Sequence, residues 1–334
     1  MGTLWGAATE NRFKRAASIR VDIPVICIGN LTAGGTGKTP FSLLVAELAG
    51  ELGLEPAFLT RGYGGVLPGP HWVAPDRDSA QDVGDEPLLL ARKAPTVISR
   101  DRAAGARAIT TATAGNGAII MDDGLQNGSL AKDLVIAVVD GRRGIGNGLV
   151  IPAGPLRARL AFQLPLVDAI VVNVPEGADP DALPVFSWLE NTFNGTVLTA
   201  TTRPAGDTSW MAGTPIMAFS GIGAPERFFD LARRLGGRLD VPRVFPDHHV
   251  FDDADARSLL DEARRRGATL CTTEKDRVRL GNTGSQAELK TLTRVLEIRM
   301  DFAEADRMRL LALIERSIRG RFAVHASRDR PAPM

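Results

Sequence analysis

Short runs of consecutive apolar residues, each followed by a helical periodicity, set the rhythm of the first two-thirds of the chain. Residues 23–29 are apolar without alternation, as in a strand buried on both faces, and Phe41, Leu44, Val45 and Leu48 then recur at helical spacing. The pairing repeats. Residues 55–60 predict a second strand running into Arg61-Gly62-Tyr63-Gly64-Gly65. Asp85-Glu86-Pro87 opens a helix carried by Leu88, Leu89, Leu90 and Ala91, with the acids at its positive end. Residues 96–99 predict a strand, 103–109 a helix, 118–121 a strand ending at Asp122-Asp123-Gly124, and 134–139 and 169–172 two further strands. This order predicts an α/β fold, a mostly parallel sheet with helices on both faces, and ligands in such sheets gather at the carboxyl ends of the strands.

The rhythm changes near Ala205-Gly206-Asp207. Residues 215–220 start a second strand-and-helix series, with Phe228, Phe229, Leu231 and Leu235 on a basic amphipathic helix. A chain of 334 residues exceeds what one core comfortably holds, so we expect a first domain over residues 1–205 and a smaller α/β domain over 206–334. The last helix, 308–318, can pack on either. Residues 328–334 carry two prolines and no apolar periodicity, the pattern of a frayed tail.

Composition acts mainly by exclusion. A formal charge of +1 and 5% aromatic residues give neither a field nor a stacking platform for nucleic acid, which is not expected as a partner. Cys27 and Cys271 lie in separate apolar runs without metal-ligand or redox spacing, and read as packing residues. No apolar stretch approaches the length of a membrane span. Near the amino terminus Leu4, Trp5 and Phe13 interleave with Arg12, Lys14, Arg15 and Arg20, a pattern shared by an interfacial anchor and by a helix packed on its own domain.

The candidate chemistry begins between the first strand and its helix. Thr32-Ala33-Gly34-Gly35-Thr36-Gly37-Lys38-Thr39 has the context of a phosphate-binding loop, with Thr32 where the first glycine usually stands. Glycines let backbone N–H groups close on phosphate oxygens, Lys38 reaches the β- and γ-phosphates, and Thr39 offers a hydroxyl to Mg²⁺. Asp122 and Asp123 follow an apolar strand, where a metal-holding acid belongs, and Asp85-Glu86 supplies one carboxylate for a proton and another for metal or solvent. Phe245-Pro246-Asp247-His248-His249 holds two of the four histidines beside an aspartate, a candidate proton-handling site. Switch ATPases of the deviant loop type carry lysine where this chain has Ala33. A guanine-binding element would need a residue between Lys275 and Asp276.

Taken together these segments resemble the tetraacyldisaccharide 4'-kinase family of lipid A synthesis in Gram-negative bacteria, over nearly the whole chain. The resemblance rests on Gly29-Asn30-Leu31 with the loop through Pro40, Arg61-Gly62-Tyr63-Gly64, Val83-Gly84-Asp85-Glu86-Pro87 and Asp101-Arg102. It continues through Asp122-Asp123-Gly124-Leu125-Gln126, Pro152-Ala153-Gly154-Pro155-Leu156-Arg157, Phe219-Ser220-Gly221-Ile222, Pro246-Asp247-His248 and Thr273-Glu274-Lys275-Asp276. It implies transfer of the ATP γ-phosphoryl group to the 4'-hydroxyl of a tetraacylated disaccharide 1-phosphate. Asp85 and His248 would form a catalytic dyad and Lys38 would act on the transferring group, with Mg²⁺ near Thr39, Asp122, Asp123 and Glu86. Arg61, Arg102 and Arg157 would be phosphate contacts, the lipid's 1-phosphate included. It further implies a monomer working peripherally or monotopically at the cytoplasmic face of the inner membrane. Three positions depart from the family: Leu125 replaces a common phenylalanine, Ala158 a common glutamate, and the start at Leu4-Trp5-Gly6-Ala7 leaves the usual apolar anchor shortened or missing. The competing reading is a nucleotide-switched ATPase that assembles a membrane or protein partner.

Overall fold

The computed structural model describes residues 2–113 and 115–328; residues 329–334 of the expected tail lie outside the described residues. Among the described residues thirteen strands follow in chain order: β1 Val25–Gly29, β2 Glu55–Thr60, β3 His71–Trp72, β4 Thr96–Ile98, β5 Gly117–Asp122, β6 Leu134–Asp140, β7 Ala169–Val174, β8 Thr196–Pro204, β9 Ile216–Ser220, β10 Arg243–Val244, β11 Thr269–Thr272, β12 Arg294–Val295 and β13 Ile298–Phe302. They form two sheets. The larger runs β13-β8-β7-β6-β1-β5-β2-β4-β3, and the smaller runs β10-β9-β11-β12. Only the outermost pairs of the larger sheet, β13 with β8 and β3 with β4, are antiparallel. The expected α/β class, mostly parallel with helices on both faces and a second smaller α/β unit, is the observed one.

Alternation along each strand sends side chains to two cores, which is why the central strands read as unbroken apolar runs. Val25 and Cys27 face one core with Ile119, Met121 and Val135, closed by Ala106 and Ile109 of the helix Arg102–Ala112 and by Val185 and Leu189 of the helix Pro184–Thr192. Ile26 and Ile28 face the other, closed by Phe41, Val45 and Leu48 of the helix Lys38–Glu51 and by Leu310, Ile314 and Ile318 of the helix Glu304–Arg328. Both cysteines are free and buried, as their apolar surroundings implied. Residues 216–295 build the smaller sheet and its helices. The chain then returns through β13 and the last helix to the larger one.

The topology locates the ligand edge. β1 is central, with β5 and β6 as parallel neighbours in the registers Val25↔Ile119 and Cys27↔Val135. The chain leaves β1 toward β2 on one side and later fills β6, β7 and β8 on the other, so the strand order reverses around β1.

The first helix, Gly2–Arg15, docks against the larger unit. Phe13 meets Phe162 edge-on at 5.3 Å, Lys132 lies 5.5 Å from the Phe13 ring, and Arg159 Nε donates to Glu10 Oε1 at 2.7 Å. Arg12, Lys14 and Arg15 remain exposed. No helix among the described residues is long and apolar enough to cross a membrane.

Candidate active site

β1 ends at Gly29, where a Cβ would come within 2.5 Å of the Leu125 Cβ, so glycine is what lets the turn after β5 lie on this strand end. The loop that follows ends at Gly37, whose φ of 97° is open to glycine at little cost and which is the N-cap of the helix Lys38–Glu51. One strand and the segment 155–157 prop the loop. Asn173 Nδ2 on β7 donates to Thr36 O at 3.2 Å, and the backbone N–H groups of Arg157 and Ala33 donate to Leu31 O and Pro155 O at 3.0 and 2.8 Å. A glycine-rich loop entering a helix N-terminus offers aligned N–H groups and a favourable dipole to an anion.

Acids and bases crowd the edge beside it. Lys38 Nζ lies 3.6 Å from Asp123 Oδ1, and Arg157 Nη1 lies 3.0 Å from Asp123 Oδ2. Burial works against the Asp123 carboxylate, but Lys38 and Arg157 outweigh it and hold the group below the usual range. Asp122 is 1% exposed and accepts from Ser42 Oγ at 2.8 Å. Burial first, and then the negative charges of Glu86 and Asp123, push its carboxyl up to about 6. The hydroxyl that reaches Asp122 is therefore Ser42's, one turn along the helix from Thr39.

Orphaned atoms mark the same edge. Asn30 Nδ2 and Oδ1, Thr36 Oγ1, Arg102 Nε and Asp123 Oδ1 are buried without a hydrogen-bond partner among the described residues. Such groups are ordinarily satisfied by water or ligand. No group of three or more acidic, histidine or cysteine side chains among the described residues forms a ready cage for a metal ion. Mg²⁺ needs only one or two carboxylates when substrate phosphates and water complete its shell. Asp122, Asp123 and Glu86, carboxylates close enough for Glu86 and Asp123 to act on Asp122 beside the glycine-rich loop, fit that arrangement.

A second group of residues joins the helix Asp85–Ala91 to the smaller unit, which supplies His248 from the segment after β10 and Arg279 from the helix after β11. Asp85 is the first residue of the helix Asp85–Ala91, behind the N-cap Gly84, and is 4% exposed. Its Oδ1 accepts from Glu86 N at 2.9 Å and its Oδ2 from Arg279 Nε at 3.0 Å, while Arg279 Nη2 closes a fork on the same oxygen. His248 Nδ1 lies 3.3 Å from that oxygen, with His248 Nε2 turned outward 3.9 Å from Asp247. Burial opposes the charge of Asp85, but Arg279, with help from Lys275 and His248, holds its carboxyl below the ordinary value. The pair brings residues 163 positions apart to one cavity of about 360 Å³, lined also by Arg279, Leu88 and Val250. Among the described residues, Asp123 at φ 52° and His248 at φ 59° are the non-glycine residues with positive φ. Such conformations cost about 1–3 kcal/mol and persist where surrounding contacts impose them.

The remaining expected residues are scattered along this edge. Arg61 is exposed at the end of β2. Arg102 is 3% exposed, its Nη1 donates to Ser99 O at 2.5 Å, its Nε has no partner among the described residues, and the charge of Asp123 acts on it. Ala158 is fully buried, and its carbonyl accepts from Gln163 Nε2. His249, paired with Asp255 at 2.7 Å and stacked on Phe245, packs the smaller unit and stays away from Asp85. Arg279 was missed in the sequence, although its i, i+3 spacing from Asp276 on the helix Glu274–Arg279 signals the ion pair that aims it. Lys275, on the same helix, pairs with Glu86 at 2.5 Å, a contact the sequence does not signal.

Comparison with known proteins gives one consistent result. A family model described as tetraacyldisaccharide-1-P 4'-kinase matches residues 1–318. The chain is 49% identical over 319 residues to the tetraacyldisaccharide 4'-kinase of Methylobacterium nodulans, covering 94% of this chain and 90% of that protein. It is 47% identical over 309 residues to that of Methylorubrum extorquens, covering 92% and 90%. Its fold is similar to a crystal structure of the "apo" form of LpxK from Aquifex aeolicus in complex with ATP, with a TM-score of 0.74, 23% identity, and coverage of 95% of this chain and 96% of that one.

Proposed function

We propose that this chain, which belongs to the tetraacyldisaccharide-1-P 4'-kinase family, runs its phosphoryl transfer between a proton-accepting pair, Asp85 and His248, and the phosphate loop around Lys38. The protein is an ATP-dependent kinase that phosphorylates the 4'-hydroxyl of a tetraacylated disaccharide 1-phosphate in lipid A synthesis. The assignment of roles to its residues is our reading, and the 3.3 Å approach of His248 Nδ1 to Asp85 Oδ2 carries it.

A sugar hydroxyl is a poor nucleophile at neutral pH and gains from a positioned base. Both oxygens of Asp85 are occupied and Arg279 lowers its basicity, so Asp85 is better suited to orient than to accept. With Nδ1–H directed at Asp85, His248 presents Nε2 to the acceptor hydroxyl and takes its proton as phosphorus is attacked. The resulting imidazolium is stabilised by Asp85 and by Asp247. On the donor side, loop N–H groups and Lys38 hold the phosphates, with Arg157 steadying Asp123 when Lys38 turns from it. Asp122, Asp123 and Thr39 would hold Mg²⁺ with Glu86 facing it, and the ion would neutralise charge on the β- and γ-phosphates. Exposed Tyr63, Val66 and Val250 offer apolar surface for acyl chains, Tyr63 lying 5.7 Å from the His248 ring and Val250 lining the same cavity.

Both halves of the cleft come from one chain, which supports action as a monomer. Exposed Arg12, Lys14 and Arg15 support peripheral attachment at the cytoplasmic face of the inner membrane, where anionic lipids attract basic segments. The dyad is tested with Asp85→Asn and His248→Gln. Each should lower kcat by about 10²–10⁴-fold with the KM for ATP near wild type. Near-normal kcat in both variants would remove the pair from the mechanism.

A further inference from the structure

The turn that follows β9 touches both halves of the site. At its start, Gly221 O accepts from Arg279 Nη1 at 2.6 Å and from the backbone N–H of His248 at 3.0 Å, while Gly221 N donates to Asp276 Oδ1 at 2.9 Å. These bonds fix the backbone that carries His248 and the guanidinium that grips Asp85. Six residues later, in the first turn of the helix Pro225–Arg234, Arg227 reaches across to the larger sheet. Its Nη1 donates to Gly35 O in the phosphate loop at 3.4 Å, and its Nη2 meets Asp140 Oδ2 at 2.5 Å at the carboxyl end of β6.

Asp140 makes that reach specific. It is 5% exposed, and its Oδ1 is already taken by the N–H groups of Arg142 and Arg143, each at 3.0 Å. A buried carboxylate that relies on one arginine for its second oxygen holds that arginine in one place, because separating them leaves a buried charge uncompensated. The guanidinium fork then has a free edge for the Gly35 carbonyl. Around Gly35 the loop is open, and a Cβ there would meet nothing within 4 Å. Phosphates entering the loop would displace its peptides, and the Gly35 carbonyl is the one Arg227 holds.

We infer that Arg227 is a positioning residue that couples occupancy of the phosphate loop to the placement of His248, through the turn 221–227. A shift of the Gly35 carbonyl moves Arg227 against its fixed partner Asp140. The helix start follows, and with it Gly221, the shared acceptor of His248 and Arg279. Contiguous bonds of this kind are a physical route for coupling, and the coupling must be reciprocal between the two ligands.

The inference rests on the lipid acceptor proposed above, and linkage measurements test it. Binding of tetraacyldisaccharide 1-phosphate in detergent micelles is measured with and without β,γ-methylene ATP. Wild-type protein should bind the lipid about tenfold more tightly with the nucleotide analogue present. In Arg227→Ala the ratio should fall to about one, with each ligand's separate affinity within about twofold of wild type and kcat lowered more than either KM. Asp140→Asn should act the same way from the other end. Arg227→Lys, which keeps the charge but cannot bridge both acceptors, should restore part of the ratio and serves if the alanine variant does not fold. A wild-type ratio of one, or an unchanged ratio in Arg227→Ala and Asp140→Asn, overturns the coupling. Failure of wild-type protein to phosphorylate the lipid would instead overturn the acceptor assignment.

Discussion

Replacing Asp122 with asparagine should make the ligand-free protein more stable while removing its activity. Asp122 is 1% exposed, and burial together with Glu86 and Asp123 pushes its carboxyl from an ordinary 3.8 up to about 6. A folded value above the unfolded one means that the folded protein keeps a proton the unfolded chain has released. Stability from this group is therefore lost as pH rises from about 4 to about 6. That rise in the carboxyl's pKa disfavours the folded state by roughly 3 kcal/mol at neutral pH. Asparagine keeps an oxygen for Ser42 Oγ and carries no charge, so it should recover much of that amount. The assay is urea unfolding of wild type and Asp122→Asn at pH 7.5 and pH 4, with chelator present. The variant should be more stable by up to about 3 kcal/mol at pH 7.5 and equal to wild type at pH 4. Mg²⁺ with ATP should stabilise the wild type more than the variant. A variant that is less stable at pH 7.5, or a difference that does not change with pH, would refute the reasoning.

Three further outcomes follow from the geometry. Arg279→Met leaves Asp85 buried without its main cation, so the protein should lose about 3–5 kcal/mol of stability. The acid limb of kcat/KM should move to higher pH, because Asp85 then protonates more readily; an unmoved limb would separate Arg279 from the dyad. Gly37→Ala places a Cβ 2.8 Å from Asn173 Nδ2 and Met300 Cε at a positive φ, whereas Gly35→Ala meets open space, so Tm should fall in the first and hold in the second. Changing Arg12, Lys14 and Arg15 together to glutamine should weaken flotation with anionic vesicles by about 1 kcal/mol per charge, and unchanged flotation would move the membrane contact elsewhere.

What the sequence revealed divides along physical lines. β1, β5, β6 and β7 are buried on both faces and announce themselves as unbroken apolar runs. β8 and β13 escaped notice because they are half exposed, and β3, β10 and β12 because two residues carry no period. The glycine-rich loop before Lys38 and the Asp122-Asp123 turn are readable because strand, loop and helix are local. The approach of Asp85 to His248 was not, since residues 163 positions apart meet only through the placement of two sheets, and family resemblance supplied what spacing could not. The surroundings of Arg102, buried with Nη1 on Ser99 O and Nε unpartnered among the described residues, are set by the packing of a helix that sequence locates but does not orient. Arg227 sits among other basic residues on the polar face of its helix, and nothing local separates it from Arg233 or Arg234.

The central claim is transfer of phosphate to a lipid sugar across this cleft. Its most direct test is mass spectrometry of tetraacyldisaccharide 1-phosphate incubated with the purified protein, ATP and Mg²⁺ in detergent micelles. The account predicts a lipid that gains one phosphate, located on the 4' position of the second sugar, at a rate that collapses in His248→Gln. ATP consumed with no phosphorylated lipid would contradict it and favour a nucleotide-switched assembly protein.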